Sequence, residues 1–279
     1  MVVVGAFILP HGSIILDPNK ENISEKAQEL HNKMLKTAET IKSLEPSLIF
    51  LTTPHSIALS NDFGIYLNKS GEGSAEWQGE YSDYQVKINF QQEYSEFLLD
   101  LLKKRKHAAS GIIAFNQGAN APLRWAESVP LWFIRELNKK TKYILFSQPL
   151  RRHEKAPDMI DECKNIGQDI FKFLSKLQEK VIIIISADLA HTHQNEGPYG
   201  YSPLAEEFDQ HMESWAKTLD EKILVEDSVR MLDRALCCGY IGFLLLQGMI
   251  NSDQFKSNVV YRETPSYYGM MIAEYIPNI

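Results

Sequence analysis

Three of the eight histidines stand where a short, β-branched apolar run breaks off. They are His11 in Pro10-His11-Gly12, His55 in Thr53-Pro54-His55-Ser56, and His191 at the end of Ser186-Ala187-Asp188-Leu189-Ala190-His191. A neutral imidazole ligates metals, and an unperturbed pKa of ~6.5 lets it give and take protons near neutral pH. Imidazoles delivered from separate strand ends to one rigid edge could share a cation or flank a reacting molecule. Any one of them alone reads as readily as a strand-capping side chain; the shared placement is what points to a site. Asp188 is close enough in the chain to orient the His191 imidazole or a bound water, and reads equally as a helix N-cap. Cys238, in Cys237-Cys238-Gly239, offers a thiolate to a soft or borderline metal or is inert core. His31, His107, His153 and His211 fall in helical or polar segments and read as solvated, while His193 reads as a support for His191 or as nothing.

The elements that would position these groups follow from periodicity. Residues 2–9, 48–51 and 181–185 are short buried strands, and 84–90 alternates like a half-exposed one. In 24–43, Ala27, Leu30, Met34, Ala38 and Ile41 make one apolar helical face, with Pro46 just beyond its end. Residues 92–102, 160–177 and 204–215 also read as helices, 235–250 as a buried helix after a turn, 69–79 as a polar loop, and 261–276 as room for one last strand. Residues 112–115, 129–134 and 143–146 are further short apolar runs. Strands alternating with helices imply an α/β fold: a mostly parallel or mixed central sheet with helices on both faces. No repeat or linker divides the chain, so residues 1–279 are expected to form a single domain. In such sheets ligands bind beyond the carboxyl ends of the strands, where His11, His55 and His191 fall.

Composition narrows the partners. The chain of 279 residues carries a formal charge of −7, and Lys103-Lys104-Arg105-Lys106 is its one basic run, so no nucleic-acid partner is expected. No apolar stretch approaches the ~18 residues of a membrane span, and 1–10 lacks the basic region and cleavage site of a signal peptide. Three cysteines without paired spacing fit a reducing compartment, so a cytoplasmic protein is expected.

His11, the Thr53-Pro54-His55-Ser56 run and the Ser186–His191 run, in this order over most of the chain, resemble the class III extradiol dioxygenases. The protocatechuate 4,5-dioxygenase catalytic subunit is the type of that family, and Memo-like proteins are its relatives. Residues 235–249 with Cys238-Gly239, and Tyr267-Tyr268-Gly269-Met270, resemble the Memo-like branch. The resemblance implies that His11 and His55 are metal ligands and that His191 is an acid–base group. It further implies Fe(II) as the metal, with Zn or Cu as other candidates, and a small catechol- or aminophenol-like substrate opened with O₂. A homo-oligomer is compatible with it. The ring-cleaving enzymes complete their ligand set with Glu; here Cys238 stands first for that place, with Cys237 and Glu263 as alternatives. Gln117, in Asn116-Gln117-Gly118, stands where a second pocket His is usual and can hydrogen-bond but not exchange protons near pH 7. Tyr240, Tyr267, Tyr268 and Trp125 are candidate walls of an aromatic pocket. The Memo-like resemblance implies a second function, metal-dependent recognition or redox chemistry without ring cleavage.

Overall fold

Strands with no polar face must be covered on both sides, and every residue of β2 (Leu48–Thr53) and β9 (Val181–Ser186) is buried. The computed structural model describes residues 2–278, the side chain at position 154 excepted. Its mixed sheet also contains β1 (Val3–Leu9), β3 (Phe63–Tyr66), β4 (Ser70–Ser74), β5 (Gln85–Phe90), β6 (Ala109–Ile112), β7 (Asn120–Leu123), β8 (Lys142–Ser147), β10 (Phe255–Glu263) and β11 (Met270–Pro277). The order is β10-β11-β1-β9-β2-β8-β5-β4-β7, with β3 pairing to β8 and β6.

Alternate residues of the central strands feed two cores. Leu48, Phe50, Ile144, Phe146, Ile183 and Ile185 enter one, with α2 (Gln92–Lys104), α5 (Ile160–Leu174), α6 (Ala205–Thr218) and α8 (Tyr240–Met249) packed around it. Ile49, Leu51, Tyr143, Leu145, Ile182 and Ile184 enter the other, under α1 (Glu25–Ser43) and α3 (Trp125–Phe133). Two short helices, α4 (Arg152–Lys155) and α7 (Leu232–Ala235), lie in the connections. The expected α/β architecture with helices on both faces is present. Among the described residues no helix is long and apolar enough to cross a membrane.

The functional consequence lies in the register. Strands β1, β9, β2 and β8 are mutually parallel, with Leu9 opposite Ser186 and Thr53 opposite Ser147. Their carboxyl ends therefore share one edge, which receives His11, His55, Asp188, His191 and the segment leading to Arg152.

Several local expectations change. Part of the 69–79 loop is β4, held between β5 and β7, because its glycines permit close pairing; a Cβ at Gly73 would meet the Leu123 carbonyl oxygen at 2.0 Å. The 129–134 run belongs to α3, opened where Glu127 Oε2 accepts the Arg124 N–H at 2.9 Å. The 112–115 run splits: Ile112 ends β6, and Phe115 is 88% exposed. The last stretch holds an antiparallel pair, β10 and β11, in place of one strand. His31 is buried, its Nδ1 donating to the Ile15 carbonyl at 2.8 Å, and His107 pairs with Asp169 at 2.9 Å.

Candidate metal centre and its cavities

The imidazole of His11 is fixed by a chain of hydrogen bonds that starts at a proline. Pro130 lies inside α3 and has no N–H, so the Ala126 carbonyl, four residues earlier, gets no helical donor from it. That carbonyl instead accepts the Ser186 hydroxyl at 2.5 Å. With its proton committed there, Ser186 Oγ can only accept from His11 Nδ1, 3.0 Å away. The tautomer follows: Nδ1 carries the hydrogen and Nε2 presents a bare lone pair. Asp188 Oδ1 accepts the His11 backbone N–H at 3.0 Å and fixes the main chain as well. A Ser186→Ala variant is expected to bind metal ~10–100-fold more weakly with the fold intact, a change read by chelator competition.

His11 Nε2 faces two further donors. Its ring meets His55 edge-on at 5.1 Å between centroids, and Nε2 lies 3.4 Å from Cys238 Sγ. The donor atoms of His11, His55 and Cys238 all lie within 4.8 Å of one another. His55 is stacked on Trp125 at 5.2 Å. Burial depresses its pKa to about 3, with the charges of Arg152 and His191 adding to the shift. Burial likewise holds His11 well below its ordinary value, so both rings are neutral and able to ligate.

This donor set fits a metal ion. Asp188 Oδ2 lies 3.4 Å from His11 Nε2, so an imidazole lone pair faces a carboxyl oxygen in a buried place. A cation relieves that opposition; otherwise a proton must. Accordingly burial pushes the Asp188 carboxyl up to about 7, against the hydrogen bonds from His11 and Gly12, and pushes the Cys238 thiol up. Two imidazoles and a thiolate suit a borderline divalent metal. Glu263, the carboxylate alternative, is engaged elsewhere, accepting from Lys26 Nζ and the Thr264 N–H at 2.8 Å. Cys237 Sγ turns to the Asp188 carbonyl at 3.4 Å.

Cys238 reaches the centre because the residue after it is glycine. The Gly239 N–H donates to the Asp188 carbonyl at 3.2 Å, and a Cβ there would meet the Ala187 Cβ at 2.6 Å and that carbonyl oxygen at 2.8 Å. Gly239→Ala is therefore expected to cost ~1–3 kcal/mol of stability through overpacking, read by denaturant titration, and to weaken metal binding by displacing Cys238.

His191 stands across the cavity. Its Nδ1 donates to the Leu189 carbonyl at 2.8 Å, leaving Nε2 bare, and its ring stacks on Tyr268 at 5.4 Å. Burial lowers its pKa to about 4. The loop that carries it is stitched on both sides: Leu189 N–H to Gly269 O at 2.8 Å, His191 N–H to Ala235 O at 2.7 Å, and Ala190 N–H to Asp209 Oδ1 at 2.9 Å. His193 completes this support by bonding Asp209 Oδ2 at 2.9 Å.

Two cavities meet at His55 and His191. One, about 80 Å³, is walled by His11, Asp188, Trp77, Trp125, Tyr267 and Tyr268. The other, about 190 Å³, contains Cys238, Arg152, Leu232, Leu236 and Ile241. Tyr240 borders the second, its hydroxyl tied to the Leu224 carbonyl at 2.9 Å. Gln117 lines neither. It is exposed on the turn before β7, a strand that places a length of ~13 Å between it and Trp125. Asn68 holds that turn by donating to the carbonyls of Ala114, Asn116 and Ala119. Sequence reasoning missed Trp77, Tyr199 and Arg152, which carry no spacing signal, and placed His153, which borders the larger cavity, among the solvated histidines.

Comparisons with known proteins agree with this architecture. Protein CA_C1420 of Clostridium acetobutylicum is 23% identical over 288 aligned residues, covering 100% of this chain. The chain spans 59% of that relative's length. The crystal structure of uncharacterized protein JW3007 from Escherichia coli K12 superposes with a TM-score of 0.60 at 13% identity, covering 97% of this chain and 99% of that one, a likeness of fold. The family described as the catalytic LigB subunit of aromatic ring-opening dioxygenase matches residues 5–273, and the chain belongs to that family.

Proposed function

We propose that the protein is a metal-dependent dioxygenase that opens the ring of a small aromatic compound bearing adjacent hydroxyl, or hydroxyl and amino, groups. The observation that carries this reading is the place of His191, whose Nδ1 is tied to the Leu189 carbonyl and whose ring lines, with His55, both of the cavities that adjoin the cluster of His11, His55 and Cys238. A divalent cation held there, Fe(II) foremost and Zn or Cu as alternatives, would supply Lewis acidity toward a substrate hydroxyl and an open position for O₂. Trp125, Tyr267 and Tyr268 offer faces and edges to an aromatic ring. His191 Nε2 takes the hydroxyl proton and later returns it, while the Leu189 carbonyl holds Nδ1–H throughout. Asp188 orients His11 through the backbone. Both oxygen atoms of O₂ enter the opened product, so no external reductant is needed. The reading treats residues 1–279 as one catalytic domain in a reducing cytoplasm, where Cys163, Cys237 and Cys238 stay out of disulfides and Cys238 is available to the metal.

Anaerobic loading with Fe(II), followed by O₂ and a panel of catechols and aminophenols, tests it. The expected result is one O₂ consumed per aromatic lost, with a yellow ring-opened product. Full metal loading without substrate-dependent O₂ uptake across the panel contradicts it. That outcome would favour the second reading, Memo-like metal-dependent recognition or redox chemistry, to which the thiol in place of a carboxylate lends support.

A further inference from the structure

Trp77 belongs to the walls of three cavities at once and, among the described residues, is the one common to all of them. The cavity that contains His11, Trp125, Tyr267 and Tyr268 has a volume of about 80 Å³. Benzene, which is smaller than any catechol, occupies a cavity of ~150 Å³. A ring set against Trp125, Tyr267 and Tyr268 therefore does not fit this space as it stands, and the 190 Å³ cavity contains none of those three walls. Trp77 separates the small space from two outer ones. One, about 360 Å³, shares Ser13, Trp77, Tyr267 and Tyr268 with it, and the other, about 300 Å³, shares Trp77 and Trp125.

The segment that carries Trp77 joins β4 to β5, and its base is fixed. The Ala75 N–H donates to the Tyr84 carbonyl at 3.0 Å, and the Ala75 carbonyl accepts the Ser13 hydroxyl at 2.8 Å. Beyond that base, residues 76–80 are all exposed. Trp77 and Glu80 exchange backbone hydrogen bonds at 3.0 and 3.1 Å across Gln78 and Gly79, whose φ angles of 52° and 85° belong to a tight hairpin turn. The tip is thus tied to itself and can move as a unit about Ala75 and Tyr84. Two contacts hold it down. The Trp77 and Trp125 rings meet at 4.4 Å between centroids, while Lys20 Nζ pairs with Glu80 Oε2 and lies 4.3 Å over the Tyr81 ring. The ion pair is open to solvent, so its hold is weak and screened by salt.

We propose that the 75–84 hairpin is a flap with Trp77 as its gate: displacing the indole joins the 80 Å³ cavity to the 360 Å³ outer chamber, through which an aromatic ring enters, and its return closes the site over the ring. Tyr267 and Tyr268 line both spaces and give the ring a continuous path between them. The Lys20–Glu80 pair is the latch. That a ring is what passes rests on the ring-opening reading; the motion of the flap does not. A gate and a fixed wall are separable by kinetics, because removing a gate speeds entry whereas removing a wall only speeds escape.

The test is anaerobic stopped-flow mixing of the Zn(II)-loaded protein, in which no turnover occurs, with the uncharged 4-methylcatechol, followed by quenching of tryptophan fluorescence. Trp77→Ala should raise the association rate constant ~10-fold or more, since the wild-type rate is held down by a conformational step. Lys20→Met should raise it ~2–5-fold, the worth of an exposed ion pair. Salt at ~1 M, where the Debye length is ~3 Å, should produce a similar rise in the wild-type protein and none in Lys20→Met. An association rate unchanged by Trp77→Ala overturns the proposal, whether or not dissociation quickens, and so does failure of the probe to bind either protein. The Lys20→Met and salt comparisons decide even if Trp77→Ala fails to fold: a rate that neither alters also overturns it. Gated binding to the Zn(II) form without any O₂ consumption by the Fe(II) form would keep the flap while removing the ring-opening reading, and ungated binding with O₂ consumption would do the reverse.

Discussion

The His11→Ala protein is expected to retain less than about a tenth of the wild-type metal and to lose ~10³-fold or more in kcat/KM, since a catalytic metal supplies several kcal/mol of stabilisation. His11 is the most strongly held of the proposed ligands: Ser186 sets its tautomer and Asp188 fixes its backbone. It is also common to both close contacts in the cluster, lying against His55 and Cys238. Elemental analysis after anaerobic reconstitution checks the first number and O₂ uptake the second. Undiminished metal in the variant would remove His11 from the ligand set and with it the proposed geometry.

Replacing His191 with Gln separates proton transfer from metal binding. Gln keeps a hydrogen-bonding side chain but cannot exchange a proton, so kcat should fall by ~10²–10⁴ while metal content stays at the wild-type level. The pH profile adds an independent reading. His191 must be neutral to accept a proton, and its pKa lies at about 4, chiefly through burial. The part of the wild-type kcat/KM profile that belongs to His191 should therefore fall as the pH drops through about 4 and be flat above roughly pH 5. An acidic limb centred near ~6.5 that disappears in the His191→Gln protein would mean that this imidazole is solvated in the working protein, whereas one that persists there belongs to another group such as Asp188, whose carboxyl burial pushes up to about 7.

The parts of the site visible in the sequence are those that sit on strand ends. Runs such as 48–51 and 181–185 are apolar throughout because both faces are covered, and the residue types that follow them announce the edge where chemistry can occur. What the sequence conceals depends on packing between distant segments. Arg152 lies in a charged run that looks solvated; only the fold turns it inward while its neighbour turns out to Glu162. The contribution of Pro130 is equally hidden, since the Ala126 carbonyl matters only once Ser186 lies beside it. The strand β4 eluded periodicity because its five residues, Ser70–Ser74, are polar or glycine and owe their conformation to β5 and β7. Gln117 looked like a pocket residue from its place in the order of motifs, but the turn held by Asn68 leaves it outside both cavities.

X-ray absorption at the edge of the reconstituted metal measures the proposed coordination directly. One sulfur at a distance of ~2.3 Å and two imidazole nitrogens at ~2.0–2.1 Å are expected, with the sulfur shell lost in Cys238→Ala. A shell of oxygen donors alone, or one unchanged by that substitution, would contradict a centre built from His11, His55 and Cys238.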